Sequence, residues 1–526
     1  MSQKTSVLIV GAGPTGLMMA CQLVLLDIPF ILVSKEDGPT TQSRALGIQA
    51  RSLEIFRQMG IIKRVVTEGQ PAKAVHVLAG KSDRRIPLGQ MGKTLSEFSF
   101  LHILEQSKTE KIFVDFLKEH GKQVLWSTEL ITFTQDANGV IAALKHKNGE
   151  EQQVSAEYIV GADGAHSVVR HTLGIPLAGN TYKQSLFVLD CDVKMQSFQE
   201  DEIYLSMKEN FVGFFPLKGG HWRVIGILPP EANDKKEVKF EDIAKDFQKR
   251  FEIDVVLSNP NWLSVYHSHH RRVSTFRVGR SFLAGDSAHI HSPVGAQGMN
   301  TGLQDAYNLA WKLAYVLQKR AKPSLLDTYD AERMPFAKRL VHTVDRVFNL
   351  VISKNPIKSL LVRNLVPFFM QFAVENKLIG DFIFRTVSEI GINYRHGSLT
   401  QNASLGVFSK DAPLPGDRLP YVLFTDENEK MRNIQEYILS GKMHLFFFSG
   451  IEEAKSELLE VAKKYDYIDV TTIPLVINTK ELYEKFGIKT SGFYLVRPDM
   501  YISYRSLNDD PIHFEKYLNT FFIKAV

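Results

Sequence analysis

Cysteine is the rarest residue in this chain. Cys21 and Cys191 are the only two among 526 residues, and their separation in sequence rules out a CxxC redox pair. Two cysteines are also too few for a disulfide framework or a cluster of thiolate metal ligands. Because this usage suits a reducing compartment, we expect the protein to be cytoplasmic.

Long hydrophobic runs are missing as well. The most apolar stretch, 360–372, is interrupted by Arg363 and Pro367, whereas a membrane-spanning helix needs roughly 18 or more continuous apolar residues. The chain begins with MSQKT and leads directly into the apolar run SVLIV, which is not the pattern of an export signal. Segment 339–372 mixes basic and apolar residues as an interfacial helix would, but we favour core packing for it.

Charge of one sign is not concentrated anywhere. The net charge of +5 comes from 63 basic and 58 acidic residues spread along the chain, which leaves no cationic block to follow a phosphate backbone. We therefore expect no nucleic-acid partner. Hydrophobic residues make up 44% of the chain, which is the usage of a folded globular protein, and the length corresponds to about three or four domains.

The amino terminus holds a glycine motif between a predicted strand and a predicted helix. Ser6–Val10 is an apolar, strand-like run, 17–26 has helical length, and the sequence GAGPTG lies between them. Glycines in this position let backbone amides approach a pyrophosphate at the positive end of a helix. An ordinary glycine turn is the alternative. The context favours a dinucleotide site formed by Gly11, Gly13, Pro14, Thr15 and Gly16.

The acidic residue expected to bind the ribose is not at its usual position in this sequence. In such units an acidic side chain normally closes the second strand. Here Phe30–Val33 is followed by Ser34 and Lys35, and the first acidic side chain is Glu36. Either Glu36 reaches the ribose, or the adenosine end is held differently with help from Lys35.

Two more glycine-rich turns follow apolar runs further along the chain. Asp163 lies in the turn GADGAH after 158–160, and Asp286 lies in the turn AGDSAH after Phe282. Turn-forming residues at 135–139 and 147–149 indicate an antiparallel excursion before the first of these turns.

The segments GAGPTG, GADGAHSVVR and FLAGDSAHIHSPVGAQGMNTGLQDAYNLAWKL are similar to the three FAD motifs of the class A, single-component flavoprotein aromatic hydroxylases. The resemblance implies an α/β fold. It comprises a Rossmann-like, glutathione-reductase-like FAD-binding domain, an inserted mixed β-sheet domain for the substrate, and a carboxy-terminal thioredoxin-like domain. We expect residues 1–180 to form the first part of the FAD-binding domain and 181–275 the substrate-binding domain. Residues 276–400 would return to the FAD-binding domain with the GD motif and a helical region, and 401–526 would be thioredoxin-like.

The carboxy-terminal segment has its own pattern of elements. It begins near a proline-rich stretch at 412–420, and the sequence predicts strands at 444–448, 475–478 and 492–497 with a helix over 451–465. Because the segment has no CxxC pair, it cannot carry out dithiol chemistry.

The resemblance also implies roles for the residues of the GD motif and of the helix that follows it. Asp286 would hold the ribityl chain of FAD, because a carboxylate forms a strong hydrogen bond with a hydroxyl. The positive start of the helix would face the flavin pyrimidine. Gly298 would open that helix, the amides of Met299 and Asn300 would be the donors, and Pro293 would cover the ring. A turn or helix-capping aspartate is the alternative for Asp286.

The family resemblance also implies roles or effects for four further residues. Arg44 and Gln106 match positions that contact FAD or control its movement, although a surface arginine and a helix-face glutamine would look the same in sequence. Asp163 would bridge the dinucleotide region and the approach of the nicotinamide coenzyme, with a plain Asp-Gly turn as the alternative. Ala296 replaces a glycine common in the family, which would narrow the space beside the isoalloxazine ring.

The substrate pocket is less readable in the sequence. In the family it lies between the second sheet and the flavin ring, and each aromatic candidate could equally be core. The candidates are Tyr204, Phe211, Phe214, Phe215 and Trp222. No general base can be assigned, so the catalytic residue is unknown. His267, His269 and His270 lack the acidic third ligand of a metal site, and we expect no metal.

The resemblance implies an FAD-dependent monooxygenase that uses NADPH or NADH and molecular oxygen. Through a flavin C4a-hydroperoxide it would hydroxylate a small aromatic substrate, phenolic or polyketide-like. The same scaffold could instead oxidise a non-phenolic or antibiotic substrate by Baeyer–Villiger insertion or another hydroxylation. It could also be a flavin reductase without productive oxygenation, or a non-catalytic binding module. The residues decide neither NADPH against NADH nor the oligomeric state, a homodimer included.

Overall fold

The computed structural model describes residues 3–525 with several gaps. The gaps are 42–44, 80–81, 196–197, 207–210, 234, 236, 251–254, 292–294, 352–371, 373, 405, 427–428, 440 and 451–455. Two of the predicted site residues, Arg44 and Pro293, therefore lie outside the described residues, as does most of the apolar stretch 360–372.

The described residues form an α/β fold with mixed sheets, as the sequence predicts. The strands, in chain order, are β1 (Gln3–Val10), β2 (Phe30–Val33), β3 (Gly47–Ile48), β4 (Gln70–Ala72), β5 (Ala74–Ala79), β6 (Ser82–Pro87), β7 (Leu101–Ile103), β8 (Thr128–Gln135), β9 (Val140–His146), β10 (Glu151–Gly161), β11 (Ala178–Lys194), β12 (Glu202–Ser206), β13 (Val212–Pro216), β14 (Trp222–Ile227), β15 (Val256–Arg272), β16 (Arg277–Val278), β17 (Ser281–Leu283), β18 (His289–Ile290), β19 (Gln401–Asn402), β20 (Leu423–Thr425), β21 (Met431–Asn433), β22 (Met443–Gly450), β23 (Ile468–Pro474), β24 (Gly492–Val496) and β25 (Ile502–Ser506).

The helices lie between and around these strands. In chain order they are α1 (Pro14–Leu25), α2 (Ala50–Gln58), α3 (Ile62–Glu68), α4 (Gln106–Glu119), α5 (Val168–Thr172), α6 (Pro230–Asn233), α7 (Phe240–Arg250), α8 (Gly298–Leu317), α9 (Asp327–Val351), α10 (Lys377–Val387), α11 (Glu457–Ala462), α12 (Lys480–Phe486) and α13 (Pro511–Phe521). Over the parts of the chain that the structure describes, no helix combines the length and the apolar character needed to cross a membrane.

The first sheet has a parallel centre. Its strands β2, β1, β10 and β17 are parallel neighbours in that order, with β16 antiparallel at the edge. The apolar runs of β1 and β2 are buried, as expected for strands covered on both faces. Strands β8 and β9 form an antiparallel extension of β10, which confirms the predicted excursion.

Helix α8 is the central helix of the fold. It packs against α1, and every residue from Asn300 to Tyr315 is buried. The helix carries buried polar side chains among its apolar ones, including Gln304, Asp305 and Lys312. Because an unpaired buried polar group is costly, these side chains must find partners on neighbouring elements.

The second sheet has the strand order β18-β15-β11-β14-β13-β12-β5-β6. Helix α7 packs against β15, and its Ile243 and Phe247 share a hydrophobic core with Phe214. The sheet extends beyond the expected segment 181–275, because β5, from earlier in the chain, pairs with β12, and β6 pairs with β5. No local sequence pattern predicts pairing between strands that are so distant in sequence.

The carboxy-terminal sheet has the order β19-β25-β24-β22-β23. Strand β22 is parallel to β23 and antiparallel to β24, and β24 is antiparallel to β25. The predicted strands at 444–448 and 492–497 are confirmed by β22 and β24. The strand predicted at 475–478 is wrong, because the strand β23 ends at Pro474 and a 3-10 turn follows. Of the predicted helix over 451–465, the described part is α11.

Candidate active site

Three glycine-rich turns follow three neighbouring parallel strands. Val10 at the end of β1 is in register with Gly161 of β10, and Gly161 is in register with Leu283 at the end of β17. The carboxyl ends of parallel strands are where α/β sheets bind their ligands. The turns after β1, β10 and β17 therefore meet at one edge of the sheet.

The glycines of the first turn differ in what surrounds them. Gly11 has φ +100°, and a Cβ there would lie 2.4 Å from the carbonyl oxygen of Ala162. A Cβ on Gly16 would lie 1.9 Å from the carbonyl oxygen of Gly11. A Cβ on Gly13, in contrast, would meet no heavy atom of the described residues within 4 Å. Gly11 and Gly16 pack against the chain itself, while Gly13 borders open space.

The first turn of α1 lies beside that open space. Gly13 is the residue before the helix, Pro14 is its first residue, and no described side chain caps it. The first N–H groups of a helix have no partner within the helix and attract anions. The amides around Thr15 and Gly16 are therefore available to a phosphate group.

Thr15 connects the first motif with the third. A Cβ on Gly285, in the GD turn, would lie 2.5 Å from the Thr15 hydroxyl oxygen, and a Cβ on Gly302, in α8, would lie 2.3 Å from it. Only glycine fits at both positions. The side chain of Thr15 thus lies between the GD turn and the central helix.

The second turn is joined to the third by hydrogen bonds. Ser287 donates from its hydroxyl to the carbonyl of Gly161 at 2.6 Å, and the amide of Ala284 donates to the same carbonyl at 3.0 Å. Asp163 accepts from the amide of Val169 at 3.2 Å. Its other oxygen, Oδ1, is buried and has no hydrogen-bond partner within the described residues, and burial raises the pKa of this carboxyl.

Asp286 lies in the 3-10 turn formed by Gly285–Ser287, and its side chain is exposed. Gly285 has φ +63°, the left-handed conformation that favours glycine. This turn points the carboxylate of Asp286 away from the core, whereas the neighbouring Ser287 is fully buried.

A buried carboxylate fixes the GD turn to the helices behind it. Asp305 of α8 accepts from the amide of Gly285 at 3.0 Å, from His289 at 2.7 Å and from Nε of Arg333 at 2.7 Å. Burial raises the pKa of Asp305, but the positive charges of Arg333 and His289 outweigh it and lower that pKa. This cluster was not predicted from the sequence. An Asp among the apolar residues of a predicted helix is nevertheless a signal of a buried, paired carboxylate.

The start of α8 is held by the side chain of Asn300. Its amide nitrogen donates to the carbonyl of Gly47 at 2.9 Å, and its oxygen accepts from the amide of Gln49 at 2.9 Å and the hydroxyl of Ser52 at 2.8 Å. This side chain is occupied by structural contacts. The backbone amides at Met299 and Asn300 belong to the first turn of the helix, where N–H groups lack helical partners.

Ala296 precedes α8 in a conformation that favours glycine. Its φ is +53°, and a Cβ on Gly47 would lie 2.8 Å from the Cβ of Ala296. A left-handed conformation costs a residue with a Cβ about 1–2 kcal/mol. The methyl group of Ala296 fills space directly opposite Gly47.

Gln106 lies at the first position of α4, next to the undescribed segment 42–44. The Gln106 side chain donates to Glu110 at 2.9 Å and accepts from the amide of Ala45 at 3.4 Å. Glu110 also accepts from the amide of Thr40 at 2.8 Å, and burial raises the pKa of Glu110. These contacts fix both ends of the segment that contains Arg44.

Glu36 lies three residues beyond the end of β2 with an exposed side chain. Its carbonyl accepts from the amide of Ser127 at 2.8 Å, and its amide donates to the hydroxyl of Ser34 at 3.3 Å. Ser34, at the position usual for the acidic residue, is buried. Lys35, Glu36 and Asp37 are consecutive exposed charged side chains at this end of the sheet, and Asp37 pairs with Lys147.

These features fit the adenine dinucleotide FAD. The open side of Gly13, the uncapped start of α1 and the unpartnered oxygen of Asp163 lie along one sheet edge. Backbone amides suit a pyrophosphate, and the exposed carboxylate of Asp286 suits a polyol hydroxyl. Gly11, Gly13, Pro14, Thr15, Gly16, Asp163, Asp286, Gly298, Met299 and Asn300 would hold the group.

Three of the five aromatic candidates lie in the core of the second sheet. Tyr204, Phe214 and Trp222 are each at most 3% exposed and belong to one hydrophobic cluster with Phe247 of α7. Core packing is the stated alternative to substrate contact for all five aromatic candidates. These three side chains line the face of the sheet that α7 covers.

Phe215 lies on the opposite face. It packs half-buried with Leu46, Ile103 and Leu217 in a separate cluster between the second sheet and the short sheet of β3, β7 and β4. Phe211, just before β13, is also half-buried. Because successive side chains of a strand alternate between faces, Phe214 and Phe215 serve different cores.

A row of side chains that the sequence analysis missed crosses the second sheet beside Phe215. Phe215 is directly opposite Arg223, Arg223 is opposite Asp190, and Asp190 is opposite Trp262. Arg223 is fully buried and donates two hydrogen bonds of 2.7 Å to Asp190 and one of 3.4 Å to the carbonyl of Ala45. The row therefore faces the loop that leads to β3 and Gly47.

The histidines of β15 lie near a positively charged surface. His269 accepts or donates a hydrogen bond with Thr181 at 2.8 Å, and Arg271 donates to the same hydroxyl at 2.8 Å. Burial and the nearby charges of Arg271, His267 and His166 lower the pKa of His269. Among the described residues, no group of three or more His, Cys, Asp or Glu side chains is arranged to hold a metal ion.

Comparison with protein families gives one domain match. Residues 4–344 match a family described as "FAD binding domain". This range contains all three glycine-rich turns and the second sheet.

Comparison with characterised proteins gives relatives along most of the chain. The chain is 30% identical over 516 residues to a 6-methylpretetramide 4-monooxygenase of Streptomyces rimosus, covering 94% of this chain and 90% of that protein. It is 33% identical over 355 residues to a pentachlorophenol 4-monooxygenase of Sphingobium chlorophenolicum, covering 67% of this chain and 66% of that protein.

Comparison with solved structures shows the same fold over nearly the full length. A flavin-dependent monooxygenase, PieE, solved in complex with FAD and substrate, superposes with a TM-score of 0.79 at 23% identity. The match covers 98% of each chain. At this identity the likeness describes the fold.

Proposed function

The chain belongs to the FAD-binding-domain family, among its aromatic and polyketide monooxygenases, and on this basis we propose that it hydroxylates a phenolic, polycyclic polyketide-like substrate with NADPH or NADH and oxygen. The observation that carries the proposal is the position of Thr15 between Gly285 and Gly302. This contact brings the first glycine motif, the GD turn and α8 to one sheet edge, with Gly13 open to a ligand.

The chain's own residues bind and orient the cofactor. The start of α1 holds the pyrophosphate, Asp286 accepts a ribityl hydroxyl, and the start of α8 donates to the pyrimidine end of the ring. Asn300 and Asp305 keep these elements in place. When bound, FAD supplies the electron transfer from NAD(P)H and the activation of oxygen that no side chain can provide.

Further residues contact the two ends of the cofactor. Glu36, with Lys35 beside it, contacts the ribose, because both side chains are exposed at the end of β2. Gln106 and Glu110 contact Ala45 and Thr40, respectively. For Arg44 and Pro293, which lie outside the described residues, the family resemblance implies a contact with FAD and a position over the flavin ring.

The substrate binds between the second sheet and the start of α8. Phe215 and the neighbouring Phe211 form an apolar wall, and the row of Arg223, Asp190 and Trp262 presents polar and aromatic edges to a phenolic ring. A buried, hydrogen-bonded row of this kind positions a ring and keeps water from it.

The nicotinamide coenzyme docks on the surface beside Asp163. Arg271 of β15, which lies with His166 of that turn around His269, provides positive charge for its phosphate groups. Docking there is transient, because the described residues form no second dinucleotide-binding unit of the type built by β1 and α1.

The finer domain assignment follows the topology. The parallel strands around β1 suit a Rossmann-like, glutathione-reductase-like unit, into which the second sheet is inserted. The order β25-β24-β22-β23, with β22 and β23 parallel and helices between, supports a thioredoxin-like unit over 401–526. We retain the boundaries 1–180, 181–275 and 276–400 as proposals, together with a cytoplasmic location.

The experiment that tests the function measures three quantities in one reaction. Purified protein with FAD is given NADPH or NADH, oxygen labelled with ¹⁸O, and either simple phenols or polycyclic phenolic compounds. We expect a substrate to accelerate coenzyme oxidation and to gain one labelled oxygen atom. Coenzyme oxidation that yields only hydrogen peroxide with every compound would instead indicate a flavin reductase.

The two relatives suggest two substrate sizes for this test. The 6-methylpretetramide enzyme aligns over 94% of the chain and the pentachlorophenol enzyme over 67%. Because the longer alignment includes the carboxy-terminal sheet, polycyclic compounds are the first choice. Higher coupling with a single-ring phenol would favour the smaller substrate class.

A further inference from the structure

Glu389 is a buried carboxyl group that the function described above does not use. It lies two residues after the end of α10 and is 1% exposed. Its backbone has φ +62°, a left-handed conformation that costs a residue with a Cβ about 1–2 kcal/mol. A strained backbone that places a carboxyl group in the core calls for a functional reason.

Both oxygens of Glu389 contact the beginning of α8. The hydroxyl of Thr301 is 3.1 Å from Oε1, and the side-chain amide of Gln304 donates to Oε2. Thr301 follows directly on Asn300, and Gln304 lies about one turn further along α8. The amides of Met299 and Asn300 face the proposed cofactor site. Glu389 is thus one layer behind the positive end of the central helix.

The residues before Glu389 extend this contact to neighbouring elements. The side chain of Gln297, at the start of α8, donates to the carbonyls of Thr386 at 3.2 Å and Val387 at 3.4 Å. The amide of Arg51, in α2, donates to the carbonyl of Ser388 at 3.2 Å. Segment 386–389 therefore follows α8 from its first residue to its second turn.

The surroundings of Glu389 act on its charge in opposite directions. Arg333 of α9 and the hydrogen bonds from Thr301 and Gln304 favour the charged form, whereas Asp305 of α8 opposes it. Arg333 is already engaged with Asp305 at 2.7 Å. Burial, the dominant effect, raises the pKa of Glu389 to about 8. The Thr301 hydroxyl donates to Glu389 in the structure, and a protonated carboxyl keeps this contact by reversing it, so that its O–H donates to Thr301 while the other oxygen accepts from Gln304.

We propose that Glu389 is a positioning residue that holds the first turns of α8 as a neutral acid and tunes how strongly this helix end stabilises negative charge on reduced FAD. The inference rests on the proposed function. A negative charge at Glu389 would oppose the positive potential of the helix start and disfavour an anionic ligand there. Reduction of the cofactor and protonation of Glu389 would favour one another.

The test measures the reduction potential of bound FAD between pH 6 and pH 9.5 in four proteins. They are the wild type, Glu389→Gln, Glu389→Gly and, as a control, Glu375→Gln, which removes an exposed carboxylate. Glutamine keeps the shape without the charge. Glycine suits the positive φ, so that at least one variant retains the fold.

We expect the wild-type potential to fall more steeply with pH above about pH 8 than in Glu389→Gln and Glu389→Gly. Below about pH 7 the wild type and Glu389→Gln should coincide, and Glu375→Gln should follow the wild type throughout. Parallel curves for wild type and Glu389→Gln over the whole range would overturn the inference, including when the variant has lower FAD affinity. A wild type that binds no FAD would overturn the proposed function as well.

Discussion

Arg497 of the carboxy-terminal sheet donates two hydrogen bonds, of 2.6 and 3.0 Å, to the carboxylate of Glu332 in α9. Both side chains are 1% exposed. Burial by itself raises the pKa of Glu332, but the charges of Arg497 and Lys312 outweigh it and lower that pKa to about 2. Asp499 also pairs with Arg497, and its carbonyl accepts from Arg51 at 2.7 Å. A buried ionic cluster therefore joins the carboxy-terminal sheet to α9 and α2.

Breaking this cluster should destabilise the whole chain. Arg497→Ala leaves Glu332 and Asp499 buried without their main partner, and such a loss costs about 3–5 kcal/mol. Urea unfolding would measure the loss. The control is Lys463→Ala, which removes an exposed ion pair with Glu460 and should cost at most about 1 kcal/mol. Equal effects of the two substitutions would contradict the structural role of the cluster.

Substitution of two adjacent phenylalanines should have different effects, one on stability and the other on substrate binding. Phe214→Ala removes a side chain from the core against α7 and should lower the free energy of unfolding by about 3–5 kcal/mol. Phe215→Ala alters the face toward Gly47 and should raise the substrate KM about fivefold through a lost aromatic contact of about 1 kcal/mol. Steady-state kinetics and urea unfolding on both variants check this. The assignment of faces would be wrong if Phe214→Ala had the larger effect on KM.

Ala296→Gly should stabilise the protein. Glycine adopts φ +53° without the cost of about 1–2 kcal/mol that a Cβ incurs, and the greater freedom of the unfolded chain offsets about half of this gain. We expect an increase of up to about 1 kcal/mol in the free energy of unfolding. Ala310→Gly, in the middle of α8, should lower it by about 1 kcal/mol. Destabilisation by both substitutions would argue against strain at Ala296.

Glu389 should make the protein less stable as the pH rises. Its pKa is about 8 in the folded protein and 4.5 in ordinary surroundings, so the folded state retains a proton that the unfolded state loses. Stability therefore falls between about pH 4.5 and pH 8 and levels off above pH 8. Each pKa unit corresponds to about 1.4 kcal/mol.

Thermal unfolding of the apoprotein tests this sign. The difference in unfolding temperature between Glu389→Gln and the wild type should grow from pH 5 to pH 8 in favour of the variant. A difference that is constant with pH would show that Glu389 is ionised in the folded protein.

The sequence predicted the three glycine-rich turns because their signals are local. A glycine that must avoid its own backbone, as Gly11 and Gly16 do, appears as a motif directly after an apolar strand. The GD turn and Asp163 follow the same rule. Parallel pairing then brings the three turns together without further information from the sequence.

The remaining features depend on contacts between distant residues. Which of Phe214 and Phe215 packs against α7 depends on strand register, which a one-residue shift would reverse. The strand at 475–478 was misplaced because its apolar residues belong to the turn after β23, whose own residues alternate in burial. Glu389 carries no signal in sequence, since only its conformation and burial distinguish it.

The most direct measurement of the central claim is the dissociation constant of FAD for the apoprotein, determined by fluorescence titration. Gly13→Val places a side chain in the open space at the start of α1 and should weaken FAD binding at least about 100-fold while the apoprotein stays folded. Asp286→Ala should also lose most bound FAD without unfolding, because its side chain is exposed. Unchanged FAD affinity in folded Gly13→Val and Asp286→Ala proteins would contradict the assignment of this sheet edge as the cofactor site.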